Sequence, residues 1–410
     1  MKRNLFSRIA PGIPQDQQIN FFYWYMDIAW WGLYMGSTVV FLSVYATRIG
    51  ATAQQIGWLN AAPAIVSLIL VIPFGLWARR IETQRGVWIS AFIARLLLLA
   101  YVFVPFIQDP VLQVQAILLI ATLCAAPNIM VGILFGPLML SSIPSEWRAT
   151  VVGNRNAILA VITFVFTLLS GQLLARYPSP TGYQIVFFIG FLGAVFTAYC
   201  LSKVKVNFPA EAVSSAAGRV PNGNWLPKMN PAGRKYIRVV ALLLLFNTAG
   251  FMFAPLAPLF AINELHLSDG TIALASALGN MLVFLVSIYI PKTIRRLGNR
   301  NSTAIGAALI ALQMLLLAFT RDTALYMVTA VVGGIASGVL GIAQFNYHLE
   351  NLPLEDRTVW MSWNALFGNL ATLLGSVAGP LLAGWTGMPI AFAILAALRL
   401  LIAGAIWKRG

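Results

Sequence analysis

Pro144-Ser145-Glu146-Trp147-Arg148 separates two long apolar runs, and 209 residues later Pro353-Leu354-Glu355-Asp356-Arg357 separates two more. Upstream, Thr52-Ala53-Gln54-Gln55-Ile56 is matched by Ser268-Asp269-Gly270-Thr271-Ile272, and Arg79-Arg80 by Arg295-Arg296, both at an offset of 216. Thr52 and Ser268 taken alone are ordinary helix N-caps. Pro-x-Glu-x-Arg at the same place in two apolar series is harder to ascribe to local helix chemistry, and it reads as a tandem duplication.

The size of the repeated unit follows from the apolar runs. A helix that crosses a bilayer needs about 20 of them in a row, and Pro, Gly and charge clusters mark the breaks. The runs predict spans at 20–46, 53–78, 87–107, 111–142, 148–175 and 183–203, then at 236–263, 269–291, 302–320, 323–350, 357–384 and 389–407. Between the two sets, residues 204–235 carry Pro209, Pro221, Pro227 and Pro231 among scattered Lys and Arg. With so few apolar positions this stretch cannot bury a core, so it reads as a flexible cytoplasmic linker. The predicted fold is an all-α membrane protein. Two six-helix bundles, 20–203 and 236–407, are flanked by a tail at 1–19 and a short end at 408–410. Residues 1–19 hold Pro11, Pro14 and a polar stretch before the first span, which is too long for a signal sequence and is read as retained.

Composition agrees. Of 410 residues 59% are hydrophobic and only 10% charged, against roughly 25% charged in soluble domains. The net charge of +15 would suggest a nucleic-acid partner, but the basic residues follow membrane topology instead. With the N-terminus inside, inner segments hold 22 of the 27 Lys and Arg, and the outer loops hold only Arg48, Arg176 and Arg321. That bias places both termini in the cytoplasm of an inner or plasma membrane. Cys124 and Cys200 both fall in apolar segments and build no disulfide or metal framework. No Walker-type loop, His/Cys metal cluster or Ser/His/Asp set occurs, so the sequence suggests no cofactor, no metal site and no enzyme activity.

At Gly75-Leu76-Trp77-Ala78-Arg79-Arg80 the chain resembles the major facilitator superfamily, whose loop 2–3 signature is G-x-L-x-D-R-x-G-R-R. Arg79 stands where that signature has Asp, and Glu82 where it has its second Gly. Pro291-Lys292-Thr293-Ile294-Arg295-Arg296-Leu297-Gly298-Asn299-Arg300 in loop 8–9 resembles the same signature, and Gly375-x-x-x-Gly379-Pro380-x-x-x-Gly384 is similar to the Gly-Pro pattern of the family's helix 5. The resemblance covers almost the whole chain. It implies two bundles related by a pseudo-two-fold axis along the membrane normal, and a monomer. A central cavity would be lined mainly by helices 1, 4, 7 and 10, with alternating access by rocking.

Asp27 is the one acidic residue well inside a span, and an intramembrane carboxylate suggests a function and a partner. At 100° per residue Tyr23, Asp27, Tyr34 and Thr38 form one stripe, with Ala29, Gly32 and Gly36 opposite, and Tyr23, Tyr34 and Thr38 are cavity candidates. Two readings stand for Asp27. It is a proton carrier for which substrate and proton compete as Arg95 approaches, or it forms a fixed ion pair with Arg95 that holds helices 1 and 3 together. Arg399 is expected to snorkel or to pair with a backbone carbonyl. On span 10, Gln344, Tyr347, His348 and Asn351 share a face. Gln344 and His348 are read either as cavity or gate groups, His348 in a proton relay or a pH-sensitive inner gate, or as polar residues at the membrane interface, and Tyr347 is a further cavity candidate.

Asn128 beside Pro127, and Asn247-Thr248 ahead of Pro255, are cavity candidates at proline-broken spans. Trp30, Trp31 and Tyr34 could line a pocket for a flat or apolar ligand. For the cytoplasmic gate, Arg79 is expected to meet Glu146, and Arg295 or Arg296 to meet Glu355 or Asp356, within clusters completed by Arg80, Arg148 and Arg357. The alternative is ordinary solvated loop charge.

A nearly uncharged, aromatic-rich set of inward residues argues against multiply charged substrates. The sequence therefore reads as a secondary active transporter of a small organic molecule. Proton-coupled efflux of an amphipathic or apolar compound leads. Import of a neutral solute such as a sugar, or a membrane sensor that moves nothing, are the alternatives.

Overall fold

The computed structural model describes residues 18–78, 80–177, 179–207, 230–353 and 357–409. Twelve helices among them are long and apolar enough to cross a bilayer. They are α1 (Gln18–Arg48), α2 (Ala53–Ala78), α3 (Thr83–Phe106), α4 (Pro110–Ser142), α5 (Ser145–Arg176) and α6 (Thr181–Lys203), followed by α7 (Gly233–Glu264), α8 (Asp269–Leu297), α9 (Asn299–Phe319), α10 (Thr323–Asn351), α11 (Trp363–Thr386) and α12 (Met388–Lys408). The helices that include α7 and α11 begin earlier, at Pro231 and Arg357. Of the expected linker, 208–229 lies outside the described residues.

Local chemistry fixes where the helices start. Thr52 and Gln55 cap α2 reciprocally: Gln55 Oε1 accepts from the Thr52 amide at 2.9 Å, and Thr52 Oγ1 accepts from the Gln55 amide at 3.3 Å. Asp109, Asn230, Ser268 and Asp322 each accept an orphan amide at the head of a helix, which satisfies donors that have no partner within the helix.

The duplication is visible in the packing. In the first half α1 packs on α5 and α6, α2 on α4, and α3 on α4 and α6; in the second, α7 packs on α11 and α12, α8 on α10, and α9 on α10 and α12. Adding six to each helix number converts one set into the other. The halves meet through α2 against α11 and α5 against α8, pairs that exchange under the same operation.

Small residues set the close approaches. A Cβ on Gly36 would lie 2.6 Å from the Thr163 carbonyl oxygen of α5. On Gly57 of α2 it would strike the Ser376 carbonyl of α11, and on Gly171 of α5 it would strike Ala273 of α8. Without a hydrophobic drive between helices in lipid, such backbone contact is what holds spans together.

The two faces of the molecule differ. One, the terminal face, carries the start of α1 and the end of α12; the other, the far face, carries the α1–α2 and α7–α8 connections. Near the far face one core joins the halves, with Phe41, Val44 and Tyr45 packed among Leu259, Ile262 and Ile272. Toward the terminal face the buried cores are separate, Trp24, Met130 and Leu138 in one half and Tyr236, Val240 and Trp360 in the other.

Candidate functional site

The first half carries an open cavity of about 650 Å³, within the range of small-molecule sites. Tyr34 and Ser43 of α1, Asn60 of α2, Tyr101 of α3 and Asn128 of α4 line it, and Ala254 of α7 closes one side. Helices 1, 4 and 7 of the expected central lining contribute to it, joined by α2 and α3, and α10 does not line this cavity. Thr38 is displaced from its expected place. Met35–Val39 is a π-turn, and the wider turn advances the register so that Val39 faces the cavity while Thr38 is buried against Gly190 of α6.

Asp27 is buried, but its partner is Arg155 of α5, with Nη2 2.9 Å from Oδ2. The pair expected with Arg95 does not form. Arg155, counted in the sequence with the inner-loop charges, is inside α5 and 6% exposed. It also donates to the Trp24 carbonyl and lies over the Trp24 and Phe135 rings, 4.9 and 5.4 Å from their centroids. The guanidinium is thereby held on several sides, the condition under which a buried ion pair persists.

Arg95, 5% exposed, points elsewhere. Its Nη1 donates to Asn128 Oδ1 at 2.9 Å, its Nε to Thr197 Oγ1 at 3.4 Å, and its guanidinium lies 4.8 Å from the Trp31 centroid. Trp31 is thus the platform for Arg95, with Tyr34 against it. Tyr23 lies near the terminal face at the edge of the first-half core, edge-on to Phe22.

In the second half Gln344 donates to Asn247 Oδ1 at 3.2 Å, which ties α10 to α7. Thr248 bonds its own helix through the Leu244 carbonyl at 2.8 Å. Tyr347, expected at the cavity, is 1% exposed in the core formed with Val239, Ala304 and Ile402 of α7, α9 and α12. His348 Nε2 is 3.2 Å from the Tyr236 hydroxyl, while its Nδ1 has no partner. Arg399 neither snorkels nor finds a carbonyl for Nε. It is 5% exposed, and its guanidinium sits 4.2 Å from the Phe246 centroid beside Gly250.

Of the expected gate, Arg79, Glu355, Asp356 and the Arg357 side chain lie outside the described residues. Glu146 accepts from Ser145, and Arg148 caps α4 by donating to the Ile143 and Leu140 carbonyls. Arg295 and Arg296 are exposed. No ion pair joins Arg80, Glu146, Arg148, Arg295 or Arg296 among the described residues.

The structure instead has a latch at the far face. Arg48 of α1 pairs with Asp269 of α8 at 2.9 Å and also donates to the Leu267 carbonyl, and the Tyr183 hydroxyl of α6 donates to Asp269 Oδ2 at 2.7 Å. Sequence reasoning missed it, although Asp269 stands inside the repeated Ser268–Ile272 motif.

The family model described as Major Facilitator Superfamily matches residues 19–323 and 239–409. The chain belongs to the major facilitator superfamily. It is therefore a secondary transporter and not an enzyme. No curated protein matches the sequence. Among solved structures the chain is similar to the nucleoside transporter NupG, with 14% identity and TM-score 0.64 over 97% of this chain and 100% of that one. It is also similar to the peptide transporter POT in complex with sulfate, with 13% identity and TM-score 0.70 over 99% and 97%. These likenesses carry the superfamily fold.

Proposed function

We propose that the chain is a proton-coupled exporter of a small amphipathic organic molecule, working by alternating access with both termini in the cytoplasm. The observation that carries this reading is the one-sided junction between the bundles: they share a core and a latch at the far face and have separate cores at the terminal face. The excess of Lys and Arg in segments near the terminal face orients that face inward. In this state the transporter would load from the cytoplasm.

Asp27 is the carboxylate for the coupling role, the other described Asp and Glu lying at helix ends or in connections. Protonation would dissolve its pair with Arg155 and free the contact between α1 and α5, the helix that also packs on α8 across the bundles. A proton taken up at this place can therefore loosen a helix that belongs to both junctions.

The test is proton movement in everted membrane vesicles challenged with hydrophobic cations, neutral antibiotics, organic acids and sugars. Compound-dependent dissipation of the pH gradient that vanishes in Asp27→Asn is expected. Transport whose pH dependence is unchanged in Asp27→Asn would reject the carrier.

A further inference from the structure

The arginines buried in the spans outnumber the carboxylates. Among the described residues Arg95, Arg155 and Arg399 are each 5–6% exposed inside helices, and Asp27 is the one acid buried with them. Asp27 belongs to Arg155. Guanidinium groups keep their charge in proteins, and an unpaired charge at this depth is costly. Two cations therefore stand in the interior without an ion pair of their own, Arg95 feeling Asp27 only at longer range.

Their settings differ. Arg399 lies against Phe246 in the second bundle and is enclosed by α7 and α12. Arg95 stands behind the cavity wall: Asn128, which accepts from it, lines the 650 Å³ cavity, as do Tyr34 and Leu98 from the helices beside it. Its polar contacts are a neutral amide and a hydroxyl, and Nη2 has no acceptor among the described residues. The rest of the cavity is mixed, with Leu42, Leu59 and Ile129 in its walls beside Ser43, Asn60 and Ser67. A cation behind the wall of a chamber with both apolar and polar lining is complementary to an amphiphile with a negative head.

We infer that the transported molecule is an organic anion, its carboxylate or equivalent head held by Arg95 and Asn128 and its apolar body lying along the cavity. The inference rests on the transporter reading and names its substrate class. It also revises the expectation of a nearly uncharged interior, because Arg95, Arg155 and Arg399 are all buried within helices. A bound anion would supply the charge that the fold leaves out, so occupied and empty states differ in electrostatic cost.

The experiment is thermal unfolding of the purified full-length protein in neutral detergent with matched pairs: 2-naphthoate against 2-naphthamide, and 4-phenylbutyrate against 4-phenylbutyramide, with sodium chloride and sodium sulfate as inorganic controls. At least one acid is expected to stabilise wild type at concentrations ~10-fold lower than its amide, the scale of a charge-assisted hydrogen bond. Arg95→Lys keeps the preference in part, and Arg95→Gln removes it.

Asn128→Asp provides a second route should Arg95→Gln fold poorly. It places a permanent carboxylate beside Arg95, so it should stabilise the empty protein and abolish the preference for acids. Acids no better than amides, a preference that survives Arg95→Gln or Asn128→Asp, or inorganic ions as effective as the organic acids would each overturn the inference, the last by leaving an inorganic anion site only. The measurement needs no gradient and no flux. A preference for acids with no compound-driven proton movement would reject proton coupling and leave the anion site standing.

Discussion

The buried pair Asp27–Arg155 gives the residue scale its sharpest consequence. Removing one member of such a pair leaves its partner's charge in a medium that does not solvate it, at a typical cost of about 3–5 kcal/mol, whereas removing both costs far less. Arg155→Gln should therefore lower the unfolding midpoint in detergent markedly, and Asp27→Asn with Arg155→Gln should recover much of the loss. Asp27→Asn alone should be milder, because Arg155 keeps the Trp24 carbonyl and two aromatic rings. A loss in the double variant equal to the sum of the two single losses would show that the pair is not a coupled unit. Asp27 was legible in the sequence because a lone carboxylate in a span is conspicuous. Its partner was not: Arg155 is close in sequence to the charged segment after α4, and only the rotation of α5 against α1 turns it inward.

At the scale of the element, α1 shows what periodicity can and cannot deliver. Gly32 and Gly36 face α5 as the small-residue seam suggested, with Gly36 nearly touching the Thr163 carbonyl. The same wheel failed for Thr38, because the π-turn at Met35–Val39 takes more residues per turn than a fixed 100° step assumes. The spans themselves were legible to within a few residues for most helices, since apolar length and breaks are physical requirements of the bilayer. Close packing at Gly36 predicts a strong position effect. Gly36→Val puts a branched side chain against backbone and should destabilise by ~1–3 kcal/mol or more, the usual penalty for overpacking. Gly341 of α10 is exposed and a Cβ there meets nothing within 4 Å, so Gly341→Ala should leave the midpoint unchanged or slightly raised. Comparing detergent unfolding of the two variants tests whether contact, and not helix propensity, governs glycine in these spans.

For the whole molecule, duplication was legible from two short motifs, and the contact order of the helices repeats it. The latch was not legible, because Arg48 and Asp269 are 221 residues apart and each is an ordinary charge in its own loop. Its consequence concerns the balance of states. Arg48 and Asp269 are 31% and 17% exposed at their side chains, so the pair is worth about 1 kcal/mol, and its loss should raise the population open at the far face about fivefold. Ser43 lines the cavity on the far-face half of α1, while Cys124 and Cys200 are free and buried. In a Cys124→Ala, Cys200→Ala background, a Ser43→Cys probe should react slowly with a membrane-impermeant thiol reagent applied at the far face and several-fold faster once Arg48→Glu is added. Adding Asp269→Arg to Arg48→Glu restores an ion pair of reversed sense and should slow labelling toward the original rate. The return is incomplete, because Tyr183 would then meet a cation in place of the carboxylate it bonds at 2.7 Å. Labelling that ignores both changes would mean that the shared core of Phe41, Val44 and Ile272 holds the face closed by itself and that the charges only decorate it.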